Sequence, residues 1–234
     1  MTIECVDLSK NYLHDDKILK AVDNVSLSIN DGEFVAILGH SGSGKTTLLS
    51  LMGGLTVPDH GSVKINGVNI QEQGEKKLTA LRNKTIGFIF QFGSLIPTLT
   101  AIENILLPLS FADSSCNPAE NIPLARELME HVGLADKENS FPSQLSGGQQ
   151  RRVAIARAFI NRPDIILADE PTGDLDEDTE KEILDIFRHY NTEKKMTFVV
   201  VTHNSKLIAT QHDPRTFLMR NGQLTETTGE EAHL

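Results

Sequence analysis

Gly39-His40-Ser41-Gly42-Ser43-Gly44-Lys45-Thr46 reads G-x-x-x-x-G-K-[ST], the spacing of a phosphate-binding loop. Its flanks agree on both sides. Residues 34–38, Phe-Val-Ala-Ile-Leu, form a short unbroken apolar run, as a parallel strand covered on both faces requires. Thr47-Leu-Leu-Ser-Leu-Met52 reads as a helix that Gly53-Gly54 stops. A strand feeding a glycine loop and then a helix N-terminus aims backbone N–H groups and the positive end of a dipole at one anion. In that geometry Lys45 bridges the outer phosphates and the Thr46 hydroxyl sits on Mg²⁺.

The bulk composition narrows the partners. Lys plus Arg number 22 against 32 for Asp plus Glu, a formal net charge of -10. An acidic chain suits neither nucleic acid nor an anionic membrane surface, whose binders neutralise phosphates. Cys5 and Cys116 lie far apart in no metal or redox spacing, so both are expected as free thiols in a reducing compartment. Residues 2–7, Thr-Ile-Glu-Cys-Val-Asp, lack the pattern of a signal peptide, and no apolar run approaches the ~20 residues that span a bilayer. Work at a membrane is therefore expected through a protein already there.

Around the loop the hydrophobic pattern gives the remaining pieces. Val25–Ile29 alternates as a half-buried strand, and Asn30-Asp31-Gly32 turns into the strand before the loop. Asn66-Gly67 and Asn221-Gly222, each flanked by alternation, mark two hairpins. An antiparallel sheet from the N-terminal segments and the first hairpin is expected beside a parallel core. Thr85–Phe90 reads as a further strand ending at Gln91, and the texture from Leu95 to about Ser140 is helical. There Asn117-Pro118 opens a helix that Gly133 stops, after a polar, exposed linker at 113–118. Tyr12, in a polar stretch between strand-like segments, either stacks on a purine ring or caps a sheet edge, the commoner use of a half-buried Tyr.

Three further stretches carry chemistry. Leu145-Ser146-Gly147-Gly148-Gln149 opens a helix with a hydroxyl and bare glycine N–H groups, either a second anion-binding tip or a plain serine cap. Asp164–Asp169 is a buried strand that delivers Asp169 and Glu170 at its C-terminal end, where open parallel sheets bind ligands. Asp169 can hold Mg²⁺ and Glu170 can polarise a water, unless both merely solvate the strand end. His203 follows the buried strand 196–202 onto the same rim, although a lone His at a strand end is more often an ordinary loop residue. Asp176 begins an acid-rich helix with Ile183, Leu184, Phe187 and Tyr190 on one face.

In this order the motifs resemble the ATP-binding subunits of ABC transporters over nearly the whole chain. Gly39–Thr46 matches Walker A, Gln91 the Q-loop and Leu145–Gln149 the signature. Ile165–Glu170 matches Walker B with its catalytic glutamate, Gly173–Asp176 resembles the D-loop and His203 the switch histidine. The resemblance implies an α/β fold, a P-loop NTPase with a RecA-like core, an antiparallel β subdomain and a helical subdomain. It places the core and β subdomain in about 1–91 and 161–234, and the helical part in about 92–160. It implies an ATPase using ATP and Mg²⁺, with Tyr12 stacking on adenine. Gly39, His40, Ser41, Gly42, Ser43, Gly44, Lys45, Thr46 and Thr47 would hold the phosphates, and Thr46, Gln91 and Asp169 the metal. Glu170, His203 and Gln91 would be catalytic. Leu145, Ser146, Gly147, Gly148 and Gln149 of a second copy, together with Asp176, would complete each site in an ATP-dependent homodimer.

Within the family, residues 90–97 and 166–173 look like the macrolide-exporter and lipoprotein-release group. The implied partner is an integral membrane permease with an FtsX-like domain, meeting the chain near Gln91–Thr100 and keeping it on the cytoplasmic face of the membrane. The alternative within the resemblance is an ATP-driven switch of a non-transporting membrane partner. Ser94 and Arg151 stand where such relatives often carry Asn and Gln, at positions read as touching neither phosphate nor catalysis. A DNA-repair or translation ATPase would carry interrupting modules or tandem domains, and the chain carries neither.

Overall fold

The computed structural model describes residues 2–14, 17–91, 95–111, 117–173, 175–204 and 214–227. Two sheets organise it. One is antiparallel and four-stranded: β1 (Ile3–His14), β2 (Lys17–Ile29), β4 (His60–Ile65) and β5 (Val68–Asn69), in the order β2-β1-β4-β5. The other has six strands, β3 (Phe34–Leu38), β6 (Ile86–Ile89), β7 (Ile165–Asp169), β8 (Thr197–Thr202), β9 (Arg215–Arg220) and β10 (Gln223–Thr227). Their order is β10-β9-β3-β8-β7-β6, with β10 antiparallel at its edge. Both Asn-Gly hairpins are present, and Tyr12 lies within β1 rather than between strands.

The unbroken apolar runs have their cause in the layering. Successive side chains on a strand point to opposite faces. Phe34, Ile166, Ala168, Phe198 and Val200 enter one core, packed against α3 (Ala101–Leu106), α4 (Ile122–His131), α5 (Gly147–Phe159) and α6 (Glu177–Lys194). Val35, Ile37, Ile165, Leu167, Val199 and Val201 enter another, packed against α1 (Lys45–Met52) and the antiparallel sheet. With both faces covered, β3 is apolar throughout, β7 is apolar up to its C-terminal Asp169, and β8 is apolar between Thr197 and Thr202 at its two ends. Phe198 is fully buried and rings with Phe34, Phe159 and Phe187, so truncation there would cost about 3–5 kcal/mol.

Two local differences from the sequence reading have physical reasons. Glu75–Thr85 is a helix, α2, with no counterpart in the periodicity, because only Thr85 is buried and Leu78 and Leu81 alone lean on the core. Asn117 caps a short 3-10 turn, Pro118–Asn121, and α4 starts after it at Ile122. Most of the linker 113–118 lies outside the described residues, as do Ser94 and Cys116; Cys5 is a buried free thiol.

Candidate functional site

The register of the six-stranded sheet assembles the site. Leu38 pairs with Thr202, Asp169 with Val201 and Ile89 with Ala168. The C-terminal ends of β3, β8, β7 and β6 therefore lie side by side, and the segments that follow them emerge along one rim. Those segments carry Gly39–Thr46, His203, Glu170 and Gln91.

The loop after β3 is shaped by close contacts. Gly44 caps α1 with φ 108, and a side chain there would run into the carbonyl of Ala21 on β2. The turn of the β9–β10 hairpin holds the loop from outside, the Gly222 amide donating to the Ser43 carbonyl at 3.0 Å. Lys45 is buried, and its Nζ donates to the carbonyls of Gly39 at 2.6 Å and His40 at 3.1 Å. Burial pulls its ammonium below the usual lysine range, against the pull of Glu170 and Asp169.

Asp169 is buried at the end of β7. Burial holds its carboxyl above the ordinary range, against a hydrogen bond from the Thr46 hydroxyl and the positive charges of Lys45 and Arg151. Its Oδ1 and the Ser43 Oγ are buried without a hydrogen-bond partner among the described residues. Buried polar atoms normally have partners. A carboxylate with an orphaned oxygen, bonded by the Thr46 hydroxyl and lining one cavity with the phosphate loop, is a donor set suited to Mg²⁺, which takes one or two carboxylates and completes its shell from phosphates and water.

Glu170 continues the ladder past Asp169, its amide donating to Val201 O at 2.9 Å, but with φ 44. A non-glycine residue held there stores about 1–3 kcal/mol of strain, of the kind that collects at functional sites. Its Oε2 accepts from Thr202 Oγ1 at 2.8 Å and from the His203 amide at 3.3 Å, and its Oε1 lies 3.0 Å from His203 Nδ1. Behind this contact Glu180 of α6 accepts from Thr172 Oγ1 at 2.9 Å and Asn204 Nδ2 at 2.7 Å.

A cavity of about 530 Å³ gathers Tyr12, His40–Thr47, Gln91, Asp169, Glu170 and His203 with Leu19 and Ala21. Leu19 faces Tyr12 across the β1–β2 ladder, and Ala21 lies two residues on, so one strand face supplies all three. This is a nucleotide-shaped cleft: an aromatic shelf, an anion-binding helix tip with its lysine, and two carboxylates at the far end.

A family model described as ABC transporter matches residues 22–173. The chain belongs to the ABC transporter family. The lipoprotein-releasing system ATP-binding protein LolD of Bordetella pertussis is 42% identical over 222 residues, covering 95% of this chain and 94% of that protein. The macrolide export ATP-binding/permease protein MacB of Rhodopirellula baltica is 42% identical over 230 residues, 98% of this chain but 33% of its own length. Among solved structures, the ATP-binding cassette MJ0796, in a dimeric post-hydrolysis state bound to ADP and Pi, superposes with TM-score 0.88 and 39% identity, covering 96% and 98% of the two chains. As an ABC ATPase of the macrolide-exporter and lipoprotein-release group, the chain binds and hydrolyses ATP.

The remaining ABC motifs stand outside the cleft. Ser146 caps α5: its Oγ accepts from the Gln149 amide at 3.2 Å and Gln149 Oε1 accepts from the Ser146 amide at 2.9 Å. Leu145 anchors this tip in the core, whereas Ser146 and Gly147 are exposed, and a side chain at Gly147 would meet nothing within 4 Å. None of Leu145–Gln149 lines the cavity. Asp176 caps α6, its Oδ1 accepting from the Thr179 amide at 2.9 Å, and that bond holds its carboxyl below the usual range. Asp174 lies outside the described residues. The sequence did not point to Leu19, Ala21 or Thr202, and Arg151, expected to touch neither phosphate nor catalysis, instead grips the Phe90 carbonyl next to Gln91 and lends its charge to Asp169. The first two could have been found by counting strand register across from Tyr12.

Proposed function

We propose that two copies of this chain close head to tail on two ATP molecules and drive an integral membrane permease of the macrolide-exporter or lipoprotein-release type, one with an FtsX-like domain. The observation that carries this is the outward signature tip: Ser146 and Gly147 face solvent and take no part in their own chain's cavity. An anion-binding helix end with bare glycine N–H groups and no local reason for glycine is suited to a phosphate presented by a second copy.

In this reading Tyr12, with Leu19, supports the adenine. The loop amides and Lys45 hold the phosphates, and Glu170 takes a proton from the attacking water while His203 steadies it. Thr46, Asp169 and Gln91 would hold Mg²⁺, which would supply positive charge to the outer phosphates. The antiparallel sheet and RecA-like core come from 1–91 and 161–234, the helical lobe from 92–160.

The groove lined by Leu55, Phe88, Phe90, Leu107 and Phe111 supports a docking place for a permease helix. Leu55, Phe90 and Phe111 are exposed there although large and apolar, and Phe90 adjoins Gln91. Among the described residues no helix is long and apolar enough to cross a membrane, in keeping with a cytoplasmic subunit held to the membrane through its permease.

The test is sizing with ATP and Mg²⁺. Glu170→Gln should accumulate as an ATP-dependent dimer, and adding Ser146→Arg should abolish the dimer while leaving ATP binding. A Glu170→Gln chain that stays monomeric at saturating ATP would overturn the reading.

A further inference from the structure

Arg151 is 8% exposed, and its Nη1 donates to the carbonyl of Phe90 at 2.8 Å. That carbonyl lies one residue beyond the last ladder pair of β6, Ile89 with Ala168, and one residue before Gln91 in the nucleotide cavity. A buried guanidinium on a backbone carbonyl is an expensive arrangement unless its geometry is held on both sides.

It is held. A side chain at Gly87 on β6 would run into the carbonyl of Ala158 on α5, so glycine lets the helix backbone lie directly on the strand. From Ala158 back to Arg151 a helix advances about 10 Å, and from Gly87 on to Phe90 a strand also advances about 10 Å. The two contacts are thus successive points of one antiparallel seam between α5 and β6. At the Arg151–Phe90 end of the seam α5 opens at Ser146 and β6 releases Gln91, so both functional segments leave from the same end. The positive charge of Arg151 also favours ionised Asp169 beside the same cavity.

We propose that Arg151 is a positioning residue that ties the signature helix to Gln91. Its grip on Phe90 sets where Gln91 enters the cavity according to where α5 sits. A displacement of α5, whether from phosphate bound at Ser146 or from a helix pressing on Phe90 in the apolar groove, then reaches Gln91 without passing through the core strands. This deepens the proposed function and rests on it.

The experiment compares the full chain with its Arg151→Ala and Arg151→Lys variants by hydrogen exchange, nucleotide titration and steady-state hydrolysis. In Arg151→Ala, amide exchange should rise at residues 90–91 and stay unchanged at 165–169. ATP affinity should change less than threefold, kcat should fall at least tenfold, and the Mg²⁺ concentration for half-maximal rate should rise. Arg151→Lys, which keeps the charge and one donor, should recover part of kcat. Unchanged exchange at 90–91 would overturn the proposal, as would a kcat loss accompanied by faster exchange throughout β6, β7 and α5. A wild-type chain that neither hydrolyses ATP nor dimerises with it would sink the proposed function instead, and the exchange comparison would still decide whether Arg151 holds Gln91.

Discussion

His203 Nδ1 lies 3.0 Å from Glu170 Oε1, while the Thr202 hydroxyl holds the other oxygen of the same carboxylate at 2.8 Å. Both contacts come from the end of β8, and both exist because Asp169 pairs with Val201 in the adjoining strands. One carboxylate is thereby oriented by two consecutive residues of a neighbouring strand. Thr202 in turn accepts from the Asn204 amide at 3.0 Å, which fixes its hydroxyl toward Glu170.

Replacing Thr202 by valine keeps the shape and removes the donor. Losing one hydrogen bond to a charged group is worth about 1.5–3 kcal/mol, and each 1.4 kcal/mol is tenfold in rate. Thr202→Val should therefore lower kcat by roughly 10-fold or more with ATP affinity intact. Phosphate release at saturating ATP checks it, and a wild-type kcat would remove Thr202 from the account.

Glu170→Gln should reduce hydrolysis by about 10²–10⁴-fold, the range for removing a general base. ATP binding should persist, because the amide can still accept from Thr202 and the Lys45 hydrogen bonds to the Gly39 and His40 carbonyls remain, with only the 3.9 Å ion pair to Lys45 weakened. Turnover and nucleotide affinity, measured on the same preparation, separate the two effects.

Asp169→Asn should stabilise the nucleotide-free chain, by about 1 kcal/mol, since it relieves a buried carboxylate whose Oδ1 lacks a partner. With Mg²⁺ and ATP the order should reverse, because only the wild-type chain gains the full binding free energy. Urea unfolding with and without Mg·ATP reads both signs. A variant less stable than wild type in the absence of nucleotide would contradict the electrostatic argument.

Burial, aided by the charge of Glu4, pushes the Cys5 thiol up from the ordinary 9.0 to about 12. Between those values the unfolded chain has lost the proton and the folded chain keeps it. Stability should therefore fall as pH rises above about 9, by about 1.4 kcal/mol per unit from this group. Cys5→Ala should show a shallower decline than wild type over the same range. Parallel pH profiles of unfolding free energy for the two proteins would refute this.

The phosphate loop, the rim carboxylates and the serine cap were legible along the chain because each answers a local demand. Gly44 is required by a positive φ, Ser146 by the unpaired N–H groups of a helix end, and the apolar run ending at Asp169 by strand periodicity. Helix α2 escaped because a surface helix with two leaning leucines leaves almost no periodic signal.

Other features depend on which strands became neighbours. Order along the chain places β7 and β8 about 30 residues apart, and no propensity states that Glu170 will meet Thr202 and His203, or that Arg151 will grip Phe90. Local backbone chemistry thus settled which parts exist and what each can bind. The pairing of β3, β8, β7 and β6, with the antiparallel sheet laid against them, is a matter of long-range burial and register, and it decided which of those parts share one cavity and which, like Ser146, face away from it.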